Sequence, residues 1–210
     1  MIRLLFILLA MMSSWPLLGQ TKLTAEQQKQ IIEKIDQTAS AMTGMQSDFV
    51  QTKRMKLLSK EMQSKGVMYF KRPNKLRWQY IAPYDYTFIL NGDKVQIKSS
   101  KSTKNIDVQG NKMFRQITNI ILNSVTGGSL KSSSDFTVEV YKKDNTYFAK
   151  LFPKKKELKQ LYQVIEIYFD SALTMVNSVR MVEKTGDETR VNLINTKLNI
   201  TVDDKMFAVN

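Results

Sequence analysis

Lys71-Arg72-Pro73-Asn74-Lys75-Leu76-Arg77-Trp78-Gln79-Tyr80-Ile81-Ala82-Pro83 is the stretch on which the fold turns. Leu76, Trp78 and Tyr80 alternate with Arg77 and Gln79, the period of two that sends successive side chains to opposite faces of a β-strand. The strand is bounded by turn residues, Pro73-Asn74 before it and Pro83 after it. Nine residues past Pro83 stands Gly92 of Asn91-Gly92, a hairpin signal because both residues accept positive φ. Thr87 to Leu90 therefore reads as the next strand. Lys94 to Lys98 is its return, with Val95 and Ile97 on one face.

The same pattern extends in both directions. Upstream, Gly66 to Lys71 (Val67, Met68, Tyr69, Phe70) reads as a strand, and Phe49-Val50-Gln51 lies in an earlier one. Before them, Thr24-Ala25-Glu26-Gln27 is a capping box, in which the Thr and Gln side chains serve each other's backbone donors. Ile31, Ile35, Ala39 and Met42 follow at helical spacing, one apolar stripe of an amphipathic helix of about 18 residues with Gly44 as its expected stop. Downstream, Ser99 to Lys104 reads as polar loop. Met113, Ile117, Ile120, Ile121 and Val125 mark a second helix ended by Gly127-Gly128. Strands resume at Phe136 to Tyr141, Tyr147 to Phe152, Val164 to Phe169, Met175 to Val182 and Thr189 to Leu198. Asp144-Asn145, Asp170-Ser171 and Gly186-Asp187 fill the turns between them. Regular short strands predict a sandwich or barrel. Two helices cannot cover such a sheet on both faces, but in the open side of a strongly curved sheet both stripes are buried.

One irregularity stands out. Met68 with Tyr69, and Phe88 with Ile89, put apolar residues on both parities, whereas a sheet with a solvated outer face alternates more cleanly.

Composition removes whole classes of chemistry. The chain has no Cys and no His. There is then no thiolate nucleophile, no Ser-His-Asp triad and no imidazole metal ligand, and no metal or cofactor is expected. The net charge of +13 suits nucleic acid, anionic lipid or acidic partners. The basic residues are spread along the chain apart from Lys154-Lys155-Lys156, so a merely soluble surface and a membrane-surface role stay equally open. Residues 1–19 carry Arg3, an apolar run from Leu4 to Met12 and then Trp15-Pro16-Leu17-Leu18-Gly19, a secretory signal with cleavage expected after Gly19. The alternative, an uncleaved anchor, falls short of the ~20 apolar residues of a spanning helix. Export makes nucleic acid an unexpected partner. Residues 20–210 fit one domain with a sizeable core.

Asp, Glu, Lys, Ser and Tyr are left to do any catalysis. Asp203-Asp204 and Asp187-Glu188 are adjacent pairs in turns, where sequence neighbours point apart. A hydrolase would need two carboxylates facing each other, brought together from distant strands. Nine of the twelve Met lie past the signal, and their flexible thioethers suit a surface that accepts varied apolar shapes.

The string from Lys71 to Pro83 and Gly92 resembles the outer-membrane lipoprotein carrier family, the LolA family. The shared features are the glycine opening a strand (Gly66), the Arg-Pro-Asn turn, the apolar-x-Trp strand, the following Pro and the Asn-Gly hairpin. Phe49-Val50-Gln51 and the late hairpin from Val182-Glu183 through Arg190 to Asn199 resemble the family more weakly. The resemblance implies a mainly β fold: an incomplete, half-open antiparallel β-barrel of about eleven strands with an α-helical lid in its concave side, over an apolar cavity. It implies that Leu76 and Trp78 face the cavity. It implies too that Arg72 bonds to lid backbone and gates opening. Family members often continue past the final Phe strand into a Pro-containing extension, whereas here three residues follow Phe207, which puts the identity of the outer-membrane acceptor in doubt.

The expected function is a periplasmic carrier, without catalytic residues or enzyme activity, that takes the acyl chains of lipoproteins from the inner to the outer membrane. Phe49, Met68, Phe70, Leu76, Trp78, Tyr80, Phe88, Leu90 and Ile97 are the expected cavity residues. Ile31, Ile35, Ile117, Ile120 and Ile121 are the expected lid. Expected partners are acylated lipoproteins and an inner-membrane lipoprotein-releasing transporter, with the carrier a monomer. The alternatives are a carrier or sensor of another lipid or glycolipid on the same fold, a carboxylate-dependent hydrolase, and a structural β protein with a filled core.

Overall fold

A computed structural model describes residues 19–108, 110, 112–127, 130–131 and 133–209, without the side chains of residues 112–114, 116, 117 and 124. Residues 1–18 of the expected signal, Gly128 of the expected helix stop and the side chains of Met113 and Ile117 thus lie outside the described residues.

The elements run β1 (Thr21–Lys22), α1 (Ala25–Ala41), β2 (Gly44–Met55), β3 (Lys60–Lys71), β4 (Lys75–Ala82), β5 (Tyr86–Asn91), β6 (Lys94–Ser99), β7 (Thr103–Asp107), α2 (Lys112–Thr126), β8 (Phe136–Lys143), β9 (Thr146–Pro153), α3 (Lys156–Leu161), β10 (Tyr162–Phe169), β11 (Val176–Glu183) and β12 (Glu188–Leu198), then a 3-10 turn at Asp204–Phe207. The capping box is formed. Thr24 Oγ1 accepts from the Gln27 N–H at 3.3 Å, and Gln27 Oε1 accepts from the Thr24 N–H at 3.0 Å. The helix ends at Ala41, earlier than Gly44 suggested. Gly44 opens β2 instead, because a Cβ there would stand 2.5 Å from the Ile200 carbonyl oxygen; it serves close backbone approach, not helix termination.

All twelve strands join one sheet in the order β1-β8-β9-β10-β11-β12-β2-β3-β4-β5-β6-β7, every pair antiparallel. Two meanders, β2 to β7 and β8 to β12, meet where β12 pairs with β2. The sheet stays open between β1 and β7, short strands of two and five residues. Short edges limit pairing with other chains. They also explain why the sequence pattern marks ten strands where the described sheet has twelve, β1 and β7 being the two it misses. Thr103–Asp107 is largely exposed and buries no regular face, so it lacks alternation and reads as loop.

The apolar residues gather in two large clusters on the concave face. One unites Ile35 of α1 and Ile120 of α2 with Phe136, Ile165, Ile167, Phe169 and their neighbours from β8 to β11. The other unites Met42, Met45, Phe49, Met68, Phe70, Leu76, Leu90 and Val95 with Val125 of α2 and with Val191 and Leu193 of β12. A third, smaller cluster resolves the mixed parity. Ile89, Val202 and Phe207 are buried together with Tyr69, Ile200 and Met206 against them. The segment after β12 folds back over the outside of β3 to β5, so those strands bury both faces. Arg77 Nη1 donates to the Met206 carbonyl at 3.3 Å and Asn91 Nδ2 to the Phe207 carbonyl at 3.1 Å, which hold this segment down.

Gly66 sits inside β3, beside a β-bulge against β4, opposite Phe49 on β2. A Cβ there would stand 2.0 Å from the Gln79 carbonyl oxygen and 2.4 Å from the Phe49 ring. Neither backbone nor a packed ring can yield cheaply. Gly66→Ala is expected to lower the unfolding free energy by about 1–3 kcal/mol, measured by urea denaturation; unchanged stability would show that β3 and β4 part there without strain.

Candidate functional site

Between α2 and the middle of the sheet lies a cavity of about 250 Å³. Its wall on one side is Trp78 and Tyr80 of β4 with Tyr86 and Phe88 of β5. On the other it is Val179 and Met181 of β11, Val191 and Leu193 of β12 and Tyr162 of β10. Gln51 of β2 lies between, and Ile120, Ile121 and Val125 of α2 form the roof. Strand parity explains the set: Trp78 with Tyr80, Val179 with Met181, and Val191 with Leu193 are each two residues apart, hence on one face. No Asp, Glu, Lys or Arg lines it among the described residues.

The β4–β5 wall is aromatic. Phe49 lies 4.4 Å from the Trp78 ring centroid and meets Tyr80 edge-on at 5.2 Å, and Tyr80 stacks on Tyr86 at 4.6 Å. These separations fall in the favourable range for ring pairs. Tyr80 Oη donates to Gln51 Oε1 at 2.8 Å, so the buried hydroxyl has a partner in the half-buried amide. Burial first, and then the neighbouring Tyr86, push the Tyr80 hydroxyl far above its ordinary pKa. It stays neutral and supplies no base.

Of the nine expected cavity residues, Trp78, Tyr80 and Phe88 line the space directly. Phe49, Met68, Phe70, Leu76 and Leu90 are fully buried beneath it in the same concave cluster, and Ile97 packs against that cluster from β6. The parity was legible; the depth was not, because alternation assigns a face and says nothing of which side chains the roof leaves uncovered. Of the expected lid, Ile120 and Ile121 reach the cavity. Ile31 and Ile35 of α1 pack with the β8–β11 cluster, away from its walls. The contributions of β10, β11 and β12 were not singled out from sequence. Their alternation at Val179/Met181 and Val191/Leu193 was visible, but only the β12–β2 pairing turns it toward Trp78.

Arg72 lies in the β3–β4 turn, and Pro73 follows it. Its Nε donates to the Met42 carbonyl at 2.9 Å and its Nη2 donates to the Ala39 carbonyl, while its own backbone N–H reaches Thr43 O at 3.0 Å. Those carbonyls are at the C-terminal end of α1, where helix acceptors lack partners and the dipole favours a cation. One guanidinium thus ties α1 to the rim of the sheet. At its other end α1 is held through Gln28, which donates to Leu23 O at 2.8 Å and accepts from Val140 N at 3.0 Å. The two helices meet where Gly127, at φ +74°, packs against Phe169 and Ile35.

Carboxylates cluster elsewhere. Glu166 faces outward between Ile165 and Ile167, with Arg180 Nη1 at 3.1 Å and Tyr168 Oη at 2.7 Å. Arg180 Nη2 also holds Glu188 at 2.7 Å. The bond from Arg180 holds Glu188 below the ordinary carboxylate pKa, against the opposing effect of burial. Glu166 pushes the Tyr168 hydroxyl, already raised by burial, to about 12. The network cross-links β10, β11 and β12 on the outer face, and the hydrolase reading finds no carboxylate at the cavity among the described residues.

Comparison with known proteins places these features. The family model described as outer membrane lipoprotein carrier protein LolA matches residues 40–210. An outer-membrane lipoprotein carrier protein of Methylococcus capsulatus is 27% identical over 172 residues, covering 78% of this chain and 75% of the relative. One of Pseudomonas paraeruginosa is 27% identical over 143 residues, covering 68% of this chain and 65% of the relative. Among solved structures, an uncharacterized conserved protein from Thermus thermophilus superposes with a TM-score of 0.52 at 10% identity, over 88% of this chain and 94% of that one. That likeness is one of fold alone.

Two outcomes follow from the geometry. Arg72→Leu removes both side-chain bonds to α1, so amide exchange in the last turn of α1 should quicken about tenfold or more, as expected for loss of charge-assisted bonds; unchanged exchange would show the tie to be idle. Glu188, with its lowered folded pKa, adds stability above the ordinary carboxylate value of ~4.3 and loses it as pH falls through the folded pKa. Between about pH 6 and pH 3, Glu188→Gln should therefore lose less Tm than the parent chain; equal losses would contradict the assignment.

Proposed function

The chain belongs to the outer membrane lipoprotein carrier family, and from that membership we propose that it is a periplasmic carrier that shelters the acyl chains of lipoproteins on their way from the inner to the outer membrane. The observation that carries this reading is the cavity itself, an uncharged space walled by Trp78, Tyr86, Phe88, Met181 and Leu193 and roofed by a helix. The family's carrier role needs no bond made or broken, and no Asp, Glu, Lys or Ser lines the space among the described residues.

The energetics set what such a carrier must do. Each methylene withdrawn from water is worth ~0.8 kcal/mol, so an anchor with two or three acyl chains needs cover throughout its passage. Yet it must be given up at the destination. A space of about 250 Å³ falls below the ~300–1,000 Å³ that drug-sized ligands occupy, and such an anchor is larger still. Loading therefore requires α2 to lift from the sheet. The isoleucines of its roof, Ile120 and Ile121, then exchange contacts with Trp78 and Val191 for contacts with solvent or cargo. Part of the gain from covering the cargo is spent on displacing the roof, which keeps affinity low enough for release. Arg72 governs the swing of α1 by holding its C-terminal carbonyls. Ile31 and Ile35 act from α1 on the β8–β11 side, and Ile117 belongs to the same proposed lid. Phe49, Met68, Phe70, Leu76, Leu90 and Ile97 become accessible only as the roof lifts. Residues 1–19 direct export and are removed after Gly19; the partners are acylated lipoproteins and an inner-membrane transporter that releases them.

Mass spectrometry of lipid and protein bound to the carrier purified from the periplasm tests the cargo directly. Acylated lipoprotein is the expected result, and free lipid or glycolipid alone would overturn it. Trp78→Glu places a charge in the cavity wall. It is expected to abolish binding of a fluorescent fatty-acyl probe while leaving the circular dichroism spectrum intact, and normal probe binding in that variant would sink the assignment of the cavity.

A further inference from the structure

The tip of the β2–β3 hairpin breaks the rules its neighbours keep. Other tight turns of the chain, such as Asn91-Gly92, Asp144-Asn145 and Gly186-Asp187, hold residues that take turn geometry easily and like water. The β2–β3 turn is Lys56-Leu57-Leu58-Ser59, closed by a Ser59 N–H to Lys56 carbonyl bond, with Ser59 at φ +45°. Leu57 is 91% exposed and Leu58 66% exposed. Neither leucine contributes to a core, and neither is the residue type that the turn requires.

The hairpin also reaches outward. β2 and β3 stay paired from Gly44↔Lys71 to Met55↔Lys60. β4 follows β3 only as far as Lys65↔Ala82, and β12 follows β2 only to Glu188↔Arg54. Five residues of β3 therefore run past the end of β4, roughly 17 Å at the rise of an antiparallel strand. The antiparallel register puts the β4–β5 turn at this same end, and there Ile81 is 65% and Tyr84 44% exposed. Apolar surface is thus concentrated on one end of the half-barrel, with the leucine tip foremost.

The charges beside the tip are mostly basic; the acidic neighbours are Glu61 on β3 and Asp187 of the β11–β12 turn, whose Oδ1 accepts from the Lys56 backbone N–H at 3.0 Å. Lys53, Arg54, Lys56 and Lys60 lie within four residues of the leucines. Lys53 is paired with Glu183 and Arg54 with Glu61. No carboxylate lies within salt-bridge distance of Lys56 or Lys60 among the described residues, and these two bracket the leucines directly. An apolar point with ammonium groups just behind it matches the layering of a bilayer surface, acyl region inside and phosphates outside. We propose that the Lys56–Lys60 tip is a membrane-docking element that inserts Leu57 and Leu58 into the interface of an anionic phospholipid bilayer while Lys56 and Lys60 sit among the phosphates. A protein partner fits less well. Two side chains on a narrow convex turn fall far short of the ~800 Å² per partner of a stable protein interface, whereas a fluid bilayer closes around a point. The proposal rests on the hairpin and not on what the cavity holds.

The test uses the full protein and vesicles of phosphatidylethanolamine with phosphatidylglycerol, against vesicles of phosphatidylcholine alone. The parent chain should co-float with the anionic vesicles and release as salt is raised. Leu57→Ser with Leu58→Ser should weaken that binding about tenfold or more. Lys56→Gln and Lys60→Gln should each weaken it about fivefold on anionic vesicles and leave neutral vesicles unaffected. Because the chain has no Cys, Leu57→Cys accepts a single polarity-sensitive dye, whose emission should shift to the blue on the anionic vesicles. Failure of the parent chain to bind them, undiminished binding in the leucine variant or an unshifted dye would each overturn the proposal. Fatty-acyl probe binding by the same variants is expected to match the parent chain. Loss of probe binding to the parent chain with vesicle binding intact would remove the cavity reading and leave this one standing.

Discussion

The ladder between β12 and β2 joins Leu198 with Met45 at one end and Glu188 with Arg54 at the other, across some 130 to 150 residues of chain. Closing so long a loop is entropically costly, though the cost grows only slowly with length. The ladder is repaid by what it fuses. Without it, β2 to β7 and β8 to β12 would be two separate meanders, each with an unpaired central edge. With it they form one curved sheet, and Val191 and Leu193 come to face Phe49, Trp78 and Tyr80. The cavity exists because strands from opposite ends of the chain share one concave face.

The helices depend on that curvature in different ways. In this structure α1 is bonded at both ends, by Gln28 to β8 and by Arg72 to the β3–β4 turn, with Ile35 and Ala39 buried. α2 bridges the two clusters, with Ile120 in one and Val125 in the other. It covers the space without filling it. A helix that roofs an unfilled cavity gains less from packing than one seated in a core, and this is the physical basis of the proposed lid. The outer face is secured independently. The Glu166–Arg180–Glu188 network braces β10 to β12, and the segment ending in Phe207 backs β3 to β5. Movement on the concave side therefore does not require the sheet to deform.

Much of this was legible in the sequence, for identifiable reasons. Leu76, Trp78 and Tyr80 announced a strand because they alternate and because Pro and Asn-Gly punctuate them. Thr24 and Gln27 announced a helix start because the capping box is a local interaction. Where nothing was buried, nothing was legible. Thr103–Asp107 is an exposed edge strand, and Lys60–Ser64 runs past the end of β4, so both lack the alternation that burial imposes. Gly44 looks like a helix stop in sequence because its close approach to Ile200 is a tertiary fact. The mixed parity at Met68/Tyr69 and Phe88/Ile89 has its cause in the C-terminal segment that covers the outer face, a contact no local pattern encodes.

The sequence by itself determined the strand-rich character, the two amphipathic helices, the absence of His and Cys chemistry and the family likeness carried by Arg72 to Gly92, since these rest on local periodicity, turn residues and residue types. Only the tertiary structure decided which apolar residues line a space and which merely fill the core beneath it, which carbonyls of α1 Arg72 bonds, and that two leucines are left at the tip of a hairpin. Those outcomes depend on which strands meet and where the pairing stops. Periodicity tells a side chain which face to take; only the neighbours across the sheet decide whether that face is filled, roofed or bare.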